Sequence, residues 1–403
     1  MSQKRILFLH PNFPAQFKHL ARAAAACGHD TRFLCQTHYG RSLAGVQRLK
    51  LKGNASHEHL MAQGGDQIQR SATLAEQYRR GLVNLNASGW QPDVVISHSG
   101  WGCGLHVREV WPGCHHIAYV EWWFDPQSDF FRYDPNNADL KLGPQQATKL
   151  WRRNQAFALE LVSADAIVAP TQWQARQLPP LLRERCHIIH DGVDLQRFKP
   201  DLQQFLTSPS LVTYGTRGME PMRAFPQFIQ GLLPLLKSNP EVRVEIAGED
   251  SINYGGHPPK NFASWGKWAK QQLADAGLND RVHWQGYLNL DEYVQFLQRS
   301  HCHVHLSHPF VASWSLLEAL ACECPLVVSN VAPVRELCEG THSAVTYVDH
   351  REPSALPIAI GETIKRSSDR QLKPPQPSLN LYSSNFSLEQ WSHVAGLKLT
   401  TKR

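Results

Sequence analysis

Between Leu306 and Glu336 the chain reads LSHPFVASWSLLEALACECPLVVSNVAPVRE, and few folds accommodate that order of residues. Val304 and Leu306 make a short apolar strand that His308-Pro309 breaks. Ser313 or Ser315 is suited to cap a helix carrying Leu316, Leu317, Ala319, Leu320 and Ala321. Pro325 ends that helix, and residues 326–328 form a buried-strand run. A helix opening straight after a strand presents unpaired N–H groups and the positive end of its dipole, which together make a seat for phosphate. One turn further in stands Glu318, a lone carboxylate among apolar residues. In open α/β sheets an acid so placed commonly takes a pair of ribose hydroxyls. Read from composition alone, it fits a solvated acid on the polar side of the helix equally well.

The same alternation runs along the rest of the chain. Residues 5–10 predict a buried strand, and Phe17, Leu20, Ala21 and Ala24 recur at helical spacing after it. Residues 31–35 predict the next strand, which completes the first unit of a parallel, doubly wound sheet. Further strands are expected at 92–98, 116–124, 166–170 and 187–190, with a helix over 148–165. Residues 48–72 are polar and weakly periodic and predict helix and loop. The run 201–210 suits a linker. Beyond it, strands are expected at 211–217, 242–248, 281–286 and 343–348. A proline-rich connector follows at 366–378, then a final helix from residue 386.

A chain of 403 residues is too long for one core and predicts two domains. We place them at 1–195, joined by the C-terminal helix 379–403, and at 196–378. No run approaches the ~18 apolar residues needed to cross a bilayer. The apolar stretch after Lys4-Arg5 is too short for a signal-peptide core, so a cytoplasmic location is expected. Nine cysteines in scattered positions read as free thiols. The 21 histidines show no ligand spacing, so no metal is expected. The net charge of +6 suits an anionic substrate or an anionic membrane surface. Lysines and arginines are dispersed with no nucleic-acid motif, which argues against nucleic acid as a partner.

Several side chains stand where such sheets bind ligands. Arg217 ends the strand 211–217 and Arg223 follows shortly after. Two guanidiniums there suit a diphosphate, which each can grip in a fork, although surface arginines are ordinarily solvated. His98 follows directly on the strand 92–98. Glu121, beside Trp122, Trp123 and Phe124, suits an acceptor site lined by rings, or an aromatic cluster at a rim.

The wording WSLLEALACECPLVVSNVAPVREL (314–337), together with the strand 93–98 that ends in His98 and the phrase DGVD (191–194), resembles retaining GT-B glycosyltransferases of family four. More narrowly, it resembles the branch with a PFVxSWSLLEA donor-site motif. The resemblance covers most of the chain and is strongest over 211–340. It implies an α/β GT-B fold: two Rossmann-like, doubly wound parallel-sheet domains facing a central cleft. It further implies a nucleotide-sugar donor whose ribose lies on Glu318. The pyrophosphate would lie on Arg217, Arg223 and the helix start at Ser313, Trp314 and Ser315, and the base by Tyr287 and Leu288. His98 would touch the transferred sugar. The loop after the first strand, with Asn12 and Phe13, would face the acceptor together with Glu121. The family's first acid of its paired-glutamate signature is replaced by Phe310, which puts recognition of the sugar hydroxyls in question.

The expected activity is glycosyl transfer to an acceptor hydroxyl with retention of configuration, without metal or other cofactor. The acceptor is expected to be a carbohydrate or lipid-linked molecule in polysaccharide or glycoconjugate biosynthesis, with peripheral membrane contact as a further partner. Two rivals stand beside it: a nucleotide-sugar epimerase on the same architecture, and a non-catalytic nucleotide-sugar-binding module.

Overall fold

The computed structural model describes residues 2–51, 67–206, 210–341, 345–368 and 377–399. The chain divides into two compact units. The first comprises Met1–Ser128, Pro144–Gly192 and Tyr382–Arg403; the second comprises Asp129–Gly143 and Val193–Leu381. Both are α/β, each built on one fully parallel sheet, as expected.

The first sheet holds β1 (Arg5–Leu9), β2 (Asp30–Cys35), β3 (Val46–Lys50), β4 (Val94–His98), β5 (His115–Tyr119), β6 (Ala166–Ala169) and β7 (Cys186–Ile188). Their order is β3-β2-β1-β4-β5-β6-β7. β1 shows why an unbroken apolar run becomes a central strand. Ile6 and Phe8 enter a cluster with Phe17, Phe33 and Ile96, while Leu7 and Leu9 enter another with Leu74, Tyr78 and Val95. Parallel strands are covered on both faces, so alternation is lost. Each such fully buried side chain contributes roughly 1.5–3 kcal/mol. Trp391 and Ala395, from the helix Ser384–Ala395, complete the first of these clusters.

The second sheet holds β8 (Leu211–Gly218), β9 (Arg243–Glu249), β10 (Val282–Gly286), β11 (Cys302–His305), β12 (Leu326–Ser329) and β13 (Val345–Val348), in the order β10-β9-β8-β11-β12-β13. Val212, Tyr214, Val304 and Val327 pack against Phe225, Phe228 and Leu232 of the helix Phe225–Ser238. Both sheets wind outward from their first strand. β1 lies between β2 and β4, and β8 lies between β9 and β11. The crevices outside the carboxyl ends of β1/β4 and β8/β11 are therefore the switch points at which such sheets take ligands.

Several local expectations change. Val46–Lys50 forms β3, an edge strand paired with β2, so the first residues of the run 48–72, expected as helix and loop, are strand; residues 52–66 lie outside the described ones. The strand expected over 116–124 ends at Tyr119, so Glu121 stands in the loop beyond it. The helix expected over 148–165 is two, Pro144–Arg153 and Gln155–Ser163. They break at Asn154, whose amide brackets the backbone of Phe124, accepting its N–H at 3.0 Å and donating to its carbonyl at 2.9 Å. The linker expected at 201–210 contains a helix, Leu202–Leu206, because buried Phe205 stacks on His301 at 4.3 Å. Most of the connector at 366–378 lies outside the described residues. Asp129–Gly143, expected in the first domain, folds with the second unit. Its Tyr133 is the reason: Arg351 donates to the Tyr133 carbonyl at 3.0 Å, and its guanidinium lies 4.5 Å from the ring centroid. All nine cysteines are free, and among the described residues no helix is long and apolar enough to cross a membrane.

Candidate active site

The second unit gathers positive charge at the β8/β11 switch point. Arg217 is the penultimate residue of β8 and is exposed; Arg223 closes the single turn Pro221–Arg223. Tyr214 donates its hydroxyl to the Arg223 carbonyl at 2.7 Å, and Arg223 Nη1 donates to Ser307 Oγ, just past β11, at 3.1 Å. Both guanidiniums flank one ring, that of Tyr254, at 5.0 Å for Arg223 and 5.9 Å for Arg217. Arg217 Nη1 also approaches the Tyr254 hydroxyl at 3.4 Å.

Buried Glu220 fixes the loop that carries Tyr254. One of its carboxylate oxygens accepts the N–H groups of Asn253, Tyr254 and Gly255 at 2.7, 2.8 and 3.4 Å. The loop can leave β9 as it does because residue 248 is glycine. Its φ is +127°, and a Cβ there would stand 1.8 Å from the Thr216 carbonyl oxygen.

The helix Trp314–Ala321 opens beside this cluster. Ser313 occupies the N-cap position with extended backbone, but its hydroxyl meets Ser315 Oγ at 2.9 Å rather than a backbone N–H. The expected side-chain cap is thus not formed. Trp314, the first residue of the helix, is 46 % exposed. Arg223, Ser307, Phe310 and Ser313 line one small concavity.

Glu318, one turn inside, is half-buried. The Tyr293 hydroxyl is shielded from solvent, and its pKa is pushed well up, first by burial and then by the Glu318 carboxylate. The carboxylate thus lies close enough to the buried Tyr293 hydroxyl to act on it. Tyr287 and Leu288 follow the carboxyl end of β10, two strands out from β8; the Tyr287 ring is 78 % exposed.

In the first unit, the β1/β4 switch point holds a different chemistry. His98 ends β4, buried, and its Nδ1 accepts the Gly100 N–H at 3.2 Å. That places a proton on Nε2, which faces Glu121 Oε2 at 3.5 Å. Gln16 donates to the other Glu121 oxygen at 3.2 Å. The His10 ring stands edge-on to His98 at 4.9 Å; burial first, and then its neighbour His98, holds its pKa well below the ordinary value. Asn12 donates its backbone N–H to His10 Nδ1 at 2.9 Å and accepts from the Thr37 hydroxyl at 2.6 Å. Phe13 departs from expectation. It is fully buried, edge-on to Phe33 at 4.9 Å, and belongs to the core rather than to an acceptor surface.

Directly behind His98, Ser97 Oγ lies 2.6 Å from Glu160 Oε1 and 2.8 Å from His116 Nε2. All three are fully buried. Although a serine, a histidine and an acid meet, the acid contacts the serine rather than orienting the imidazole, and nothing can reach the hydroxyl. This is a polar lock within the sheet, not a nucleophilic triad. Glu160 also accepts the Gly104 N–H at 3.1 Å, which pins the loop leaving His98. Among the described residues, no group of three or more His, Cys, Asp or Glu is placed to hold a metal ion.

Tyr254, Glu220, Phe130 and His10 were not singled out from the sequence. The one signal for Tyr254 was its place in a polar loop after a strand's carboxyl end.

Two doubly wound parallel sheets, each in its own compact unit, give the chain the GT-B fold. Residues 27–198 match the glycosyl transferase family 4 group, and residues 219–371 match glycosyl transferases group 1. The chain is therefore a glycosyltransferase, which transfers a sugar from a nucleotide sugar. Solved structures share the fold over nearly the whole chain. Sucrose-phosphate synthase from Thermosynechococcus elongatus is 14 % identical, with a TM-score of 0.67, over 98 % of this chain and 96 % of its own. HepE from Anabaena, solved with UDP-glucose, is 13 % identical, with a TM-score of 0.62, over 98 % of both chains. A glycosyltransferase from Rickettsia africae is 12 % identical, also at 0.62, over 98 % of this chain and 99 % of its own. No curated protein matches the chain.

Proposed function

We propose that the chain transfers a sugar with retention of anomeric configuration, and that the β8/β11 switch point holds the donor. The observation that carries this reading is the convergence of Arg217 and Arg223 on Tyr254 beside the start of the helix Trp314–Ala321. The diphosphate takes the two guanidiniums and the positive end of the helix that starts at residues 313–315. Glu318 takes the ribose hydroxyls, and the base lies toward Tyr287 and Leu288. HepE was solved with UDP-glucose, so a UDP-sugar is the first donor to test.

As the bond between the anomeric carbon and the leaving oxygen breaks, negative charge builds on the diphosphate. Fixed positive charge at that place stabilises the transition state more than the ground state. In this reading the guanidiniums and the helix dipole serve in place of a metal ion. The acceptor hydroxyl attacks from the face the diphosphate leaves, and its proton passes to the departing phosphate oxygen. His98 orients the transferred sugar. Asn12 and Glu121 serve the acceptor side, with Gln16 holding the Glu121 carboxylate in place. The biological setting we favour is assembly of a polysaccharide or glycolipid, with the chain peripheral to a membrane.

A thermal-shift panel of nucleoside diphosphates tests the donor site, since a ligand at 100 times its Kd stabilises by about 2.7 kcal/mol. Proton NMR of the first-formed product tests retention; an inverted anomer would remove that part of the reading.

A further inference from the structure

Arg223 shares a small concavity with two histidines whose ring nitrogens are not all matched. His305, the last residue of β11, and His308, in the loop beyond it, line that hollow together with Arg223, Ser307, Phe310 and Ser313. Both histidines are more than nine-tenths buried, at 4 % and 6 % exposed. The Nε2 atom of each is shut off from solvent and has no hydrogen-bond partner. An unmatched polar atom in a protein interior is costly, and two of them lining one hollow point to a ligand that completes them.

Each ring is held in place. His305 stands opposite Val328 of β12 in the middle of the sheet. The His308 N–H donates to the Met222 carbonyl at 3.0 Å. Its ring is packed by His350 at 4.8 Å and by Tyr133 at 5.4 Å, and Tyr133 in turn meets His350 at 5.4 Å. His350 Nδ1 pairs with Ser329 Oγ at 2.8 Å, and the same hydroxyl oxygen accepts the Ser307 N–H at 2.9 Å. Phe310 closes the apolar side, ringed by Tyr254 at 5.5 Å and Phe130 at 5.6 Å.

The lining defines the class of that ligand. No carboxylate lines the hollow, and Arg223 is its one residue of fixed charge. Ser307 Oγ is already engaged, accepting from Arg223 and donating to the His308 carbonyl. Burial keeps both imidazoles neutral: it holds the His308 pKa down at about 4, and burial followed by the nearby Arg223 holds that of His305 well below the ordinary value. A neutral imidazole carries its proton on either nitrogen, and a bound anion selects the form protonated on Nε2. Two N–H groups and a guanidinium then suit one negatively charged acceptor. The free space, about 10 Å³, admits a single water-sized group, which is an oxygen atom and not a sugar ring.

We propose that His305 and His308 are further binding residues for the donor's diphosphate, each donating from Nε2 to a phosphoryl oxygen that enters the hollow alongside the Arg223 guanidinium. This rests on the reading of the β8/β11 switch point as the diphosphate site. The two imidazoles add fixed donors without adding charge, in a place shielded from water where such donors act most strongly on a departing phosphate.

The test uses the full chain, with inorganic pyrophosphate and UDP as probes. In calorimetric titration, His305→Phe and His308→Phe should each weaken both probes by about tenfold or more, as a hydrogen bond to a charged group is lost. His305→Gln and His308→Gln keep an N–H near the same place and should recover most of the affinity. In the ¹⁵N-labelled wild type, two imidazole N–H protons should move downfield when pyrophosphate is added, and each should be missing from the spectrum of one Gln variant. That signature needs only the wild type to respond, so it decides the matter even where a melting curve shows that a Phe variant has not folded. A wild type that binds pyrophosphate with no histidine ring proton responding overturns the inference, as do folded Phe variants that bind as the wild type does; the diphosphate site then stands and the hollow holds water alone. Failure of pyrophosphate and of every nucleoside diphosphate to bind the wild type overturns the diphosphate site itself, and the inference with it.

Discussion

Glu160 offers the sharpest physical test of the first unit. Burial raises its pKa from the ordinary 4.5 to about 7, against the opposing pull of the Ser97 and Gly104 hydrogen bonds and of nearby His98. Burial holds the His116 pKa down at about 3, so its imidazole is neutral and can accept from Ser97. Below pH 7 the consistent arrangement is therefore Glu160 O–H to Ser97, then Ser97 O–H to His116.

An unfolded chain releases the Glu160 proton near 4.5, while the folded chain holds it to about 7. Stability from this group is complete below the lower value, falls as pH rises through the window, and is flat above it. At about 1.4 kcal/mol per pKa unit, the loss across the window is roughly 3 kcal/mol. Glu160→Gln reproduces the protonated form. Its Nε2 donates to Ser97, its carbonyl accepts the Gly104 N–H, and it has no proton to lose.

The assay is thermal or denaturant unfolding of both proteins at half-unit steps from pH 4.5 to 9, read as the difference between them. Other titrating groups cancel in that difference. The variant should match the wild type near pH 4.5 and exceed it by roughly 3 kcal/mol above pH 8, which is about 6–12 °C in the melting of a unit this size. Parallel curves at every pH would refute the reasoning, since they would mean that Glu160 is ionised throughout or is not desolvated.

Replacing Arg217 and Arg223 together by Gln should weaken nucleoside diphosphate binding by about 100-fold, as two charged hydrogen-bonding groups are lost; calorimetry reads this, and an unchanged Kd would move the donor site elsewhere. Glu318→Ala should cost about tenfold or more in affinity for a nucleoside diphosphate. The same variant should cost much less for inorganic pyrophosphate, and an equal loss for both would show that Glu318 does not hold the ribose. Arg351→Ala removes the grip on Tyr133, so limited proteolysis should cut within residues 129–143 several-fold faster than in the wild type, while the rest of the digestion pattern stays unchanged.

The fold was largely legible because its parallel strands are buried on both faces and so appear as apolar runs bounded by turn residues. β3 escaped because VQRLK is an edge strand with half its side chains in water, and nothing in its composition separates it from a loop. The break at Asn154 was hidden for another reason: an asparagine that pairs with a distant backbone has the same letter as one that faces solvent. Arg217, Arg223 and Glu318 could be placed from their positions at strand and helix ends, since topology alone puts those ends at the switch point. Phe13 could not, because standing in the right loop does not say which way a ring points. Tyr254 and Phe130 reach Phe310 from 56 and 180 residues away, through Glu220 and Tyr133, and no local pattern encodes such meetings.

The discontinuity at Asp129–Gly143 bears on how this chain can be recombined. A chimera cut once near Val193, to exchange one half for that of another transferase, would carry Tyr133 and Phe130 away with the half to which they do not structurally belong. It would leave Arg351, His308 and His350 facing a stranger's residues. A graft that respects the fold needs four junctions, at 128/129, 143/144, 192/193 and 381/382, and those are the places to cut.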